Sequence, residues 1–142
     1  MSVSCRRGVR LVFGLALLAL VAAPPPAGAQ SCADAATQAD LNECTGRALQ
    51  RANAALDERL ATILARLDDA PQTAELLRTA QERWAAYRDA ECDFATVAVA
   101  GGSIYPTVRA ECLTDLTEAR DAALAAYLAC QEGDLSCPVP PR

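Results

Sequence analysis

Beyond Gly46, the helix-breaking residues of this chain cluster in three places, and their spacing is the feature that most constrains its fold. An Asp-Asp-Ala-Pro string stands at 68–71, Gly-Gly-Ser stands at 101–103, and Gly133 is followed by Pro138 and Pro140. Glycine and proline mark turns between regular elements. The segments between them are rich in Ala, Leu, Arg, Glu and Gln and poor in β-branched and aromatic residues. The spacing therefore predicts an all-α fold with three long helices.

The helix boundaries and buried faces can also be predicted. Helix 1 is expected to run from near Thr37, whose hydroxyl can cap a helix, to about Leu67, and helix 3 to begin near Pro106. Apolar residues recur at steps of three and four, which predicts one buried stripe on each helix. The predicted stripes are Leu49, Ala52, Leu56, Leu60, Ile63 and Leu67 in helix 1; Leu77, Ala80, Trp84, Tyr87, Glu91 and Phe94 in helix 2; and Cys112, Leu116, Ala119, Ala123, Ala126 and Cys130 in helix 3. Long helices joined by short turns favour an antiparallel three-helix bundle, in which helices 2 and 3 form a hairpin.

The first 29 residues are expected to form a secretory signal peptide. Three arginines precede an apolar run at 11–23, and Ala27-Gly28-Ala29 is a small-residue cleavage sequence. The run is shorter than the roughly 20 residues that span a membrane. Cys32, the first cysteine after the cleavage site, lacks the small-residue box of a lipoprotein, so we expect no stable membrane anchor.

Cleavage after Ala29 divides the chain into a leader at 1–29, a helical domain at 30–137 and a flexible C-terminal tail at 138–142. The leader holds three of the thirteen basic residues, so the remaining 142 − 29 = 113 residues carry a net charge of 10 − 18 = −8. This charge disfavours nucleic acid and anionic membranes as partners and favours a basic protein, although it also serves solubility.

Six cysteines follow the leader, and an even number in a short exported chain predicts a disulfide framework. Metal binding is the competing interpretation, and it is disfavoured because the chain has no histidine and no Cys-x-x-Cys pair. Six cysteines permit many pairings, which the helical arrangement narrows: a reversal at Gly102 brings one pair face to face, a folded-back N-terminal arm joins a second, and the third brackets Gly133. The predicted disulfides are Cys32–Cys44, Cys92–Cys112 and Cys130–Cys137.

Two strings of residues resemble motifs of the lysozyme inhibitor LprI-like family. They are Thr-Gln-Ala-Asp-Leu-Asn-Glu-Cys at 37–44 and the more specific Trp-Ala-Ala-Tyr-Arg-Asp-Ala-Glu-Cys at 84–92. Gly-Gly-Ser at 101–103, Cys-Leu-Thr at 112–114 and Thr-Glu-Ala-Arg at 117–120 fit the family as well. The resemblance implies a small helical exported domain, and the family's named member inhibits lysozyme. The missing lipoprotein box departs from that member.

Residues suited to catalysis are few, so we expect neither enzyme activity nor a cofactor or metal. The chain has no histidine and no lysine, and its cysteines are expected in disulfides, so a nucleophile paired with a base cannot be assembled. Carboxylates alone can hydrolyse glycosides, and Asp89, Glu91 and Asp93 lie close together in helix 2. Three alanine-rich helices offer little cleft, however, so structural ion pairing is the expected role of these acids.

Glu91 lies on the predicted apolar stripe, where a buried carboxylate needs a partner. We expect it to pair with Arg120 of helix 3, with Asn42 supplying a hydrogen bond and Arg88 close by on the same helix. These four residues form a predicted structural polar network. Trp84, on the same stripe, is expected in the core together with Tyr87.

The turn between helices 2 and 3 is the candidate inhibitory loop, formed by Gly101, Gly102, Ser103 and Tyr105. One interpretation is that the glycines only permit the chain reversal. The functional interpretation is that a tip stapled by Cys92–Cys112 inserts Ser103 and Tyr105 into the acidic cleft of lysozyme, with its order imposed before binding. The alternative binding surface is an acidic face that includes Asp57, Glu58, Asp68 and Asp69.

The sequence thus predicts a periplasmic or extracellular protein that inhibits lysozyme by non-catalytic binding to this basic partner. The alternative is a structural or stress-related interaction module of the bacterial envelope with no lysozyme activity. Saposin-like lipid binding also uses helices and three disulfides, but the cysteine spacing and the narrow apolar stripes disfavour it.

Overall fold

The computed structural model describes residues 32–141, and in this part of the chain the regular elements are all helical. The α-helices are α1 (Gln38–Arg66), α2 (Pro71–Ala95) and α3 (Tyr105–Leu128), with short 3-10 helices at Cys32–Asp34 and Val97–Val99. The all-α prediction is confirmed, and the predicted bounds of helix 1 differ by one residue at each end. The predicted leader at 1–29 lies outside the described residues. Across residues 32–141, none of the helices has the length and apolar character needed to cross a membrane.

Local sequence determines where the helices begin. The Thr37 hydroxyl accepts a hydrogen bond from the Asp40 N–H at 3.1 Å, and the Asp40 carboxylate accepts one from the Thr37 N–H at 3.1 Å. This reciprocal capping box satisfies two amide groups that would otherwise lack partners at the start of α1. Pro71 and Pro106 stand in the first turns of α2 and α3, where a missing amide hydrogen costs nothing.

The helices run up, down and up, so α1 and α3 are parallel to each other and α2 is antiparallel to both. Side-chain contacts follow this parallel register from one end to the other. Near the two N-termini, Gln38 Nε2 donates to Thr107 Oγ1 at 3.0 Å. Further along, Arg59 donates to both carboxylate oxygens of Asp121 at 2.9 and 3.0 Å. At the C-terminal ends, the guanidinium of Arg66 donates to the Leu128 carbonyl at 3.2 Å and so caps α3.

All three predicted disulfides are formed, with Cα–Cα distances of 5.8 to 5.9 Å. Cys32–Cys44 fastens the N-terminal arm to α1. Cys92–Cys112 joins the end of α2 to the first half of α3. Cys130–Cys137 closes the segment that follows α3, which extends the packed structure beyond the last helix.

The core lies between the C-terminal half of α1, the N-terminal half of α2 and the C-terminal half of α3. Its buried members are Leu56, Ile63, Leu67, Ala74, Leu124 and Val139. The predicted stripe of helix 1 is confirmed, because four of its six members are buried. Within the tail predicted at 138–142, Val139 is only 2% exposed. The Cys130–Cys137 disulfide returns the chain to the bundle, where Val139 covers apolar surface.

The predicted stripe of helix 2 is wrong at Ala80, which is exposed, and in its C-terminal half. Tyr87 and Phe94 are exposed, whereas Arg88 and Cys92 face the other helices. Trp84 is half-buried and packs against the core, as expected. The physical reason is that Arg88 makes hydrogen bonds to two neighbouring helices, which a reading of apolar spacing does not detect.

The predicted stripe of helix 3 is also displaced around the helix. Ala119, Ala123 and Ala126 are exposed, and the buried positions are Thr107, Ala110, Leu113, Thr117 and Leu124. Alanine is small and common on all faces of this helix, so its spacing indicates little. Thr117 can be fully buried because its hydroxyl donates to the Leu113 carbonyl at 2.6 Å.

Candidate functional site

The tip loop, defined here as residues 101–105, reverses the chain between α2 and α3. Gly101 has a φ of 81°, in the left-handed region that favours glycine. The Gly102 N–H donates to the Val99 carbonyl at 3.0 Å, and the Tyr105 N–H donates to the Gly102 carbonyl at 3.1 Å. A side chain on Gly102 would place its Cβ only 3.2 Å from the Val99 oxygen. The turn geometry therefore explains both glycines.

The structure holds the tip loop from both sides. The Cys92–Cys112 disulfide closes the base of the hairpin, and the buried Thr96 hydroxyl donates to the Cys92 carbonyl at 2.7 Å. On the α1 side, Asn42 Nδ2 donates to the Ser103 carbonyl at 3.4 Å. The loop is thus attached to all three helices.

Asn42 belongs to a polar network, although its partners differ from those predicted. The Thr107 hydroxyl donates to Asn42 Oδ1 at 2.6 Å, and Gln38 Nε2 donates to the same oxygen at 2.9 Å. Gln38 Nε2 also lies 3.0 Å from Thr107 Oγ1. Since Thr107 is buried, this triangle fixes the start of α1 against the start of α3, directly beneath the tip loop.

The side chains of the tip loop differ in how far they are presented to solvent. Ser103 and Ile104 are exposed. Tyr105 is half-buried and lines a shallow hollow together with Leu49 and Arg109. The outermost groups of the loop are therefore a hydroxyl and an aliphatic side chain, with the tyrosine behind them.

An ion pair beside the disulfide reinforces the hairpin. Arg109 Nε of α3 donates to Asp93 Oδ1 of α2 at 2.8 Å. This hydrogen bond is the main reason why the pKa of Arg109 is raised above its ordinary value. The pair was not foreseen from the sequence, yet the register offers a signal. Cys92 lies opposite Cys112, Asp93 is the residue after Cys92, and Arg109 precedes Cys112 by three residues, about one helical turn.

Arg88 is part of a junction between all three helices. Its Nη1 donates to Asn53 Oδ1 of α1 at 3.1 Å and to Thr117 Oγ1 of α3 at 3.2 Å. Its Nη2 donates to Asp89 at 2.8 Å, and its guanidinium carbon lies 5.2 Å from the centre of the Trp84 ring. Arg88 therefore takes part in a structural polar network, but its contacts with Asn53 and Thr117 were not predicted from the sequence.

The expected Glu91–Arg120 pair is not among the ion pairs of residues 32–141. Arg120 Nε instead donates to Gln81 Oε1 at 3.1 Å, and its guanidinium carbon lies 5.9 Å from the Trp84 ring centre. The hairpin register explains this. Because Cys92 faces Cys112, Arg120 lies eight residues further along α3 and faces Trp84, which is seven residues or roughly 10 Å from Glu91 along α2.

The alternative acidic surface is present as an exposed region at the C-terminal half of α1. Asp57 and Glu58 are exposed on the helix, and Asp68 and Asp69 are exposed in the turn that follows it. The Asp69 N–H donates to Asp68 Oδ1 at 2.9 Å, which shapes that turn. This region lies at the end of α1 opposite the one that contacts the tip loop.

Comparison with known proteins gives one family and one relative. A family model described as lysozyme inhibitor LprI matches residues 29–124. An uncharacterized protein of Rhizobium meliloti (strain 1021) is 33% identical over 124 residues, and the alignment covers 77% of this chain and 89% of that protein. No solved structure matches the chain. The matched range includes the capping box of α1, the Arg88 junction and the tip loop.

Proposed function

The chain belongs to the lysozyme inhibitor LprI family, and on that premise we propose that it binds a lysozyme outside the cytoplasm and blocks it without catalysis. The single observation that carries the proposal is the family match, which extends over residues 29–124. The three disulfides are consistent with an exported protein, since such bonds persist in oxidising compartments.

The inhibitory element in this proposal is the tip loop, with Gly101, Gly102, Ser103 and Tyr105 as its functional positions. Its geometry supports the role because the disulfide, the glycine turn and Asn42 hold it in one conformation. A loop that is already ordered loses little conformational entropy when it binds. The exposed Ser103 hydroxyl would donate to a carboxylate in the lysozyme cleft, while Tyr105 supports the turn from behind.

Electrostatics also favour this partner. The chain without its predicted leader carries a net charge of 10 − 18 = −8, and a basic lysozyme has the opposite sign. Opposite charges accelerate association and select among partners more than they raise affinity. Binding is therefore expected to weaken as salt concentration rises, because mobile ions screen exposed charges.

The test is a cell-wall lysis assay with several lysozyme classes, titrated with protein that was exported to an oxidising compartment and purified. Stoichiometric inhibition, with a matching binding isotherm, is the expected result. Ser103→Glu should weaken inhibition at least about tenfold, because a carboxylate at the tip would be repelled by the acidic cleft.

Ala122→Glu is the matched control, since it adds the same charge at an exposed position of α3 away from the tip. Inhibition by this control should equal that of the unmodified protein. Failure to bind any lysozyme class would reject the proposal and favour the envelope interaction module instead. If Ser103→Glu inhibits as well as the unmodified protein, the tip loop is rejected as the inhibitory element, but the inhibitor function is not.

A further inference from the structure

One exposed face of α2 carries an apolar stripe that the bundle does not use. Leu76, Tyr87 and Phe94 are 72%, 56% and 76% exposed. Their separations of eleven and seven residues correspond to about three and two helical turns, so they lie on one line. The stripe continues to Val97, which is 65% exposed in the 3-10 helix before the tip loop. Isolated exposed apolar residues are ordinary, but an aligned series marks a contact surface.

Small residues and one arginine complete this stripe. Ala80 and Ala90 are exposed between the larger side chains, and Arg83 lies near its middle. The alanines leave space for side chains of a partner to approach the helix closely. We use the name α2 stripe for Leu76, Ala80, Arg83, Tyr87, Ala90, Phe94 and Val97.

A row of carboxylates runs beside the α2 stripe. Glu75, Glu82, Asp89 and Asp93 are separated by seven, seven and four residues and are all exposed, so they share the adjacent flank of the helix. Three of them have arginine partners within the fold, and one of these pairs joins Glu75 to Arg78 at 3.8 Å. Arg88 contacts only Oδ1 of Asp89, and Arg109 contacts only Oδ1 of Asp93. The side chains of Asp89 and Asp93 remain 52% and 58% exposed. We call these four residues the acidic row.

The acidic row decides which partner the stripe fits. A second copy of this chain, packed antiparallel, would place Leu76 opposite Phe94 and Ala80 opposite Ala90, which is sterically suitable. A symmetric antiparallel pair, however, brings the same flank of both helices together, so Glu82 would lie within one residue of the level of Asp89 of the other copy. Like charges in such positions are destabilising. The positive charges of a basic partner would instead be attracted to the carboxylates of the acidic row.

We propose that the α2 stripe and the acidic row together form the docking surface for a basic lysozyme. The inference rests on the proposed function and extends it, because it assigns the main contact area to α2 rather than to the loop alone. Val97 stands four residues before Gly101, so the docking surface is continuous with the tip loop along the chain. Aromatic side chains such as Tyr87 and Phe94 are the kind that dominate binding energy at protein interfaces.

The experiment measures the Kd for lysozyme of the exported, oxidised protein and of the double variant Tyr87→Ser with Phe94→Ser. The Kd should rise at least about tenfold while the melting temperature stays unchanged, since neither side chain is part of the core. The matched control is Leu135→Ser, because Leu135 is fully exposed in the segment after α3 and lies outside the stripe. Glu82→Arg should also raise the Kd and reduce its dependence on salt, whereas Glu132→Arg should not.

The outcomes separate this inference from the function on which it rests. If the unmodified protein binds lysozyme and the double variant binds equally well, the docking surface is rejected and the inhibitor proposal stands. If the unmodified protein binds no lysozyme, both are rejected. If sedimentation shows a dimer that the double variant converts to a monomer, the stripe is covered by a second copy, and the docking surface is again rejected.

Discussion

Arg88 of α2 donates a hydrogen bond from Nη1 to Oγ1 of Thr117, a side chain of α3 with no exposed surface. The same nitrogen also reaches Asn53 of α1, so one guanidinium joins the three helices. The contact gives a structural reason for the arginine in the string at 84–92 and for the threonine in the string at 117–120. Both strings place polar groups at an interior point where apolar residues alone would not select a register.

We predict that Arg88→Ala lowers the free energy of unfolding by about 2–3 kcal/mol. Hydrogen bonds to charged groups contribute more than neutral ones, and Thr117 would keep a hydroxyl beside an emptied space. Chemical denaturation followed by circular dichroism measures the change. Arg83→Ala, on the exposed face of the same helix, is the control and should change the value by less than about 0.5 kcal/mol.

Thr107→Val is expected to lower the free energy of unfolding by about 1–2 kcal/mol. The substitution keeps the shape of the side chain but leaves the partly buried Asn42 and Gln38 amides without one partner. Thr107→Ser retains the hydroxyl, so it should lower the free energy of unfolding less than Thr107→Val does. Hydrogen exchange at Gly102 and Tyr105, whose amides donate within the tip loop, should also become faster, since the triangle lies beneath that loop. Unchanged stability and exchange would show that the triangle does not hold the hairpin.

Replacing Cys92 and Cys112 together by alanine should lower stability by about 3 kcal/mol. The bond closes a segment with a sequence separation of 20, and chain-entropy estimates give this magnitude for a loop of that length. Removing Cys130–Cys137, with a separation of 7, should have a smaller effect. The first variant should also inhibit lysozyme less well than the second at temperatures where both are folded, which tests whether the order of the tip loop matters.

Val139→Ala is expected to lower the free energy of unfolding by about 1–2 kcal/mol, because a nearly buried side chain would leave apolar core surface uncovered. Thermal melts monitored by calorimetry provide the measurement. Leu135→Ala, in the same segment but fully exposed, should leave the melting temperature unchanged. Equal behaviour of the two variants would mean that the end of the chain is not docked in solution.

Glu91→Gln should change the free energy of unfolding by less than about 0.5 kcal/mol. Glu91 is half-buried and has no ion pair among residues 32–141, so its charge is not needed to hold α2 against α3. Arg120→Met, by contrast, removes the bond to Gln81 and the contact with Trp84, and we expect a loss of about 1 kcal/mol. A large loss of stability in Glu91→Gln, seen in the same denaturation assay, would contradict this prediction and support the pairing of Glu91 with Arg120.

The sequence by itself was sufficient for the features that depend on neighbouring residues. Thr37 and Pro106 mark helix starts because capping and first-turn preferences are local. The disulfide at Cys92–Cys112 also followed from the sequence, since the glycine turn at 101–102 fixes which residues of the hairpin face each other. The family resemblance was carried by short strings in which these local features and the Arg88 junction coincide.

Only the tertiary structure decided which faces of α2 and α3 are buried and how the polar residues pair. Alanine occurs on every side of both helices, so apolar spacing could not distinguish the interior from the surface, and Tyr87 was wrongly placed in the core. Arg88, Thr107 and Thr117 lie inside because each finds hydrogen-bond partners on helices far away in the chain. Burial of a polar group depends on such distant partners, and the sequence around it does not contain them.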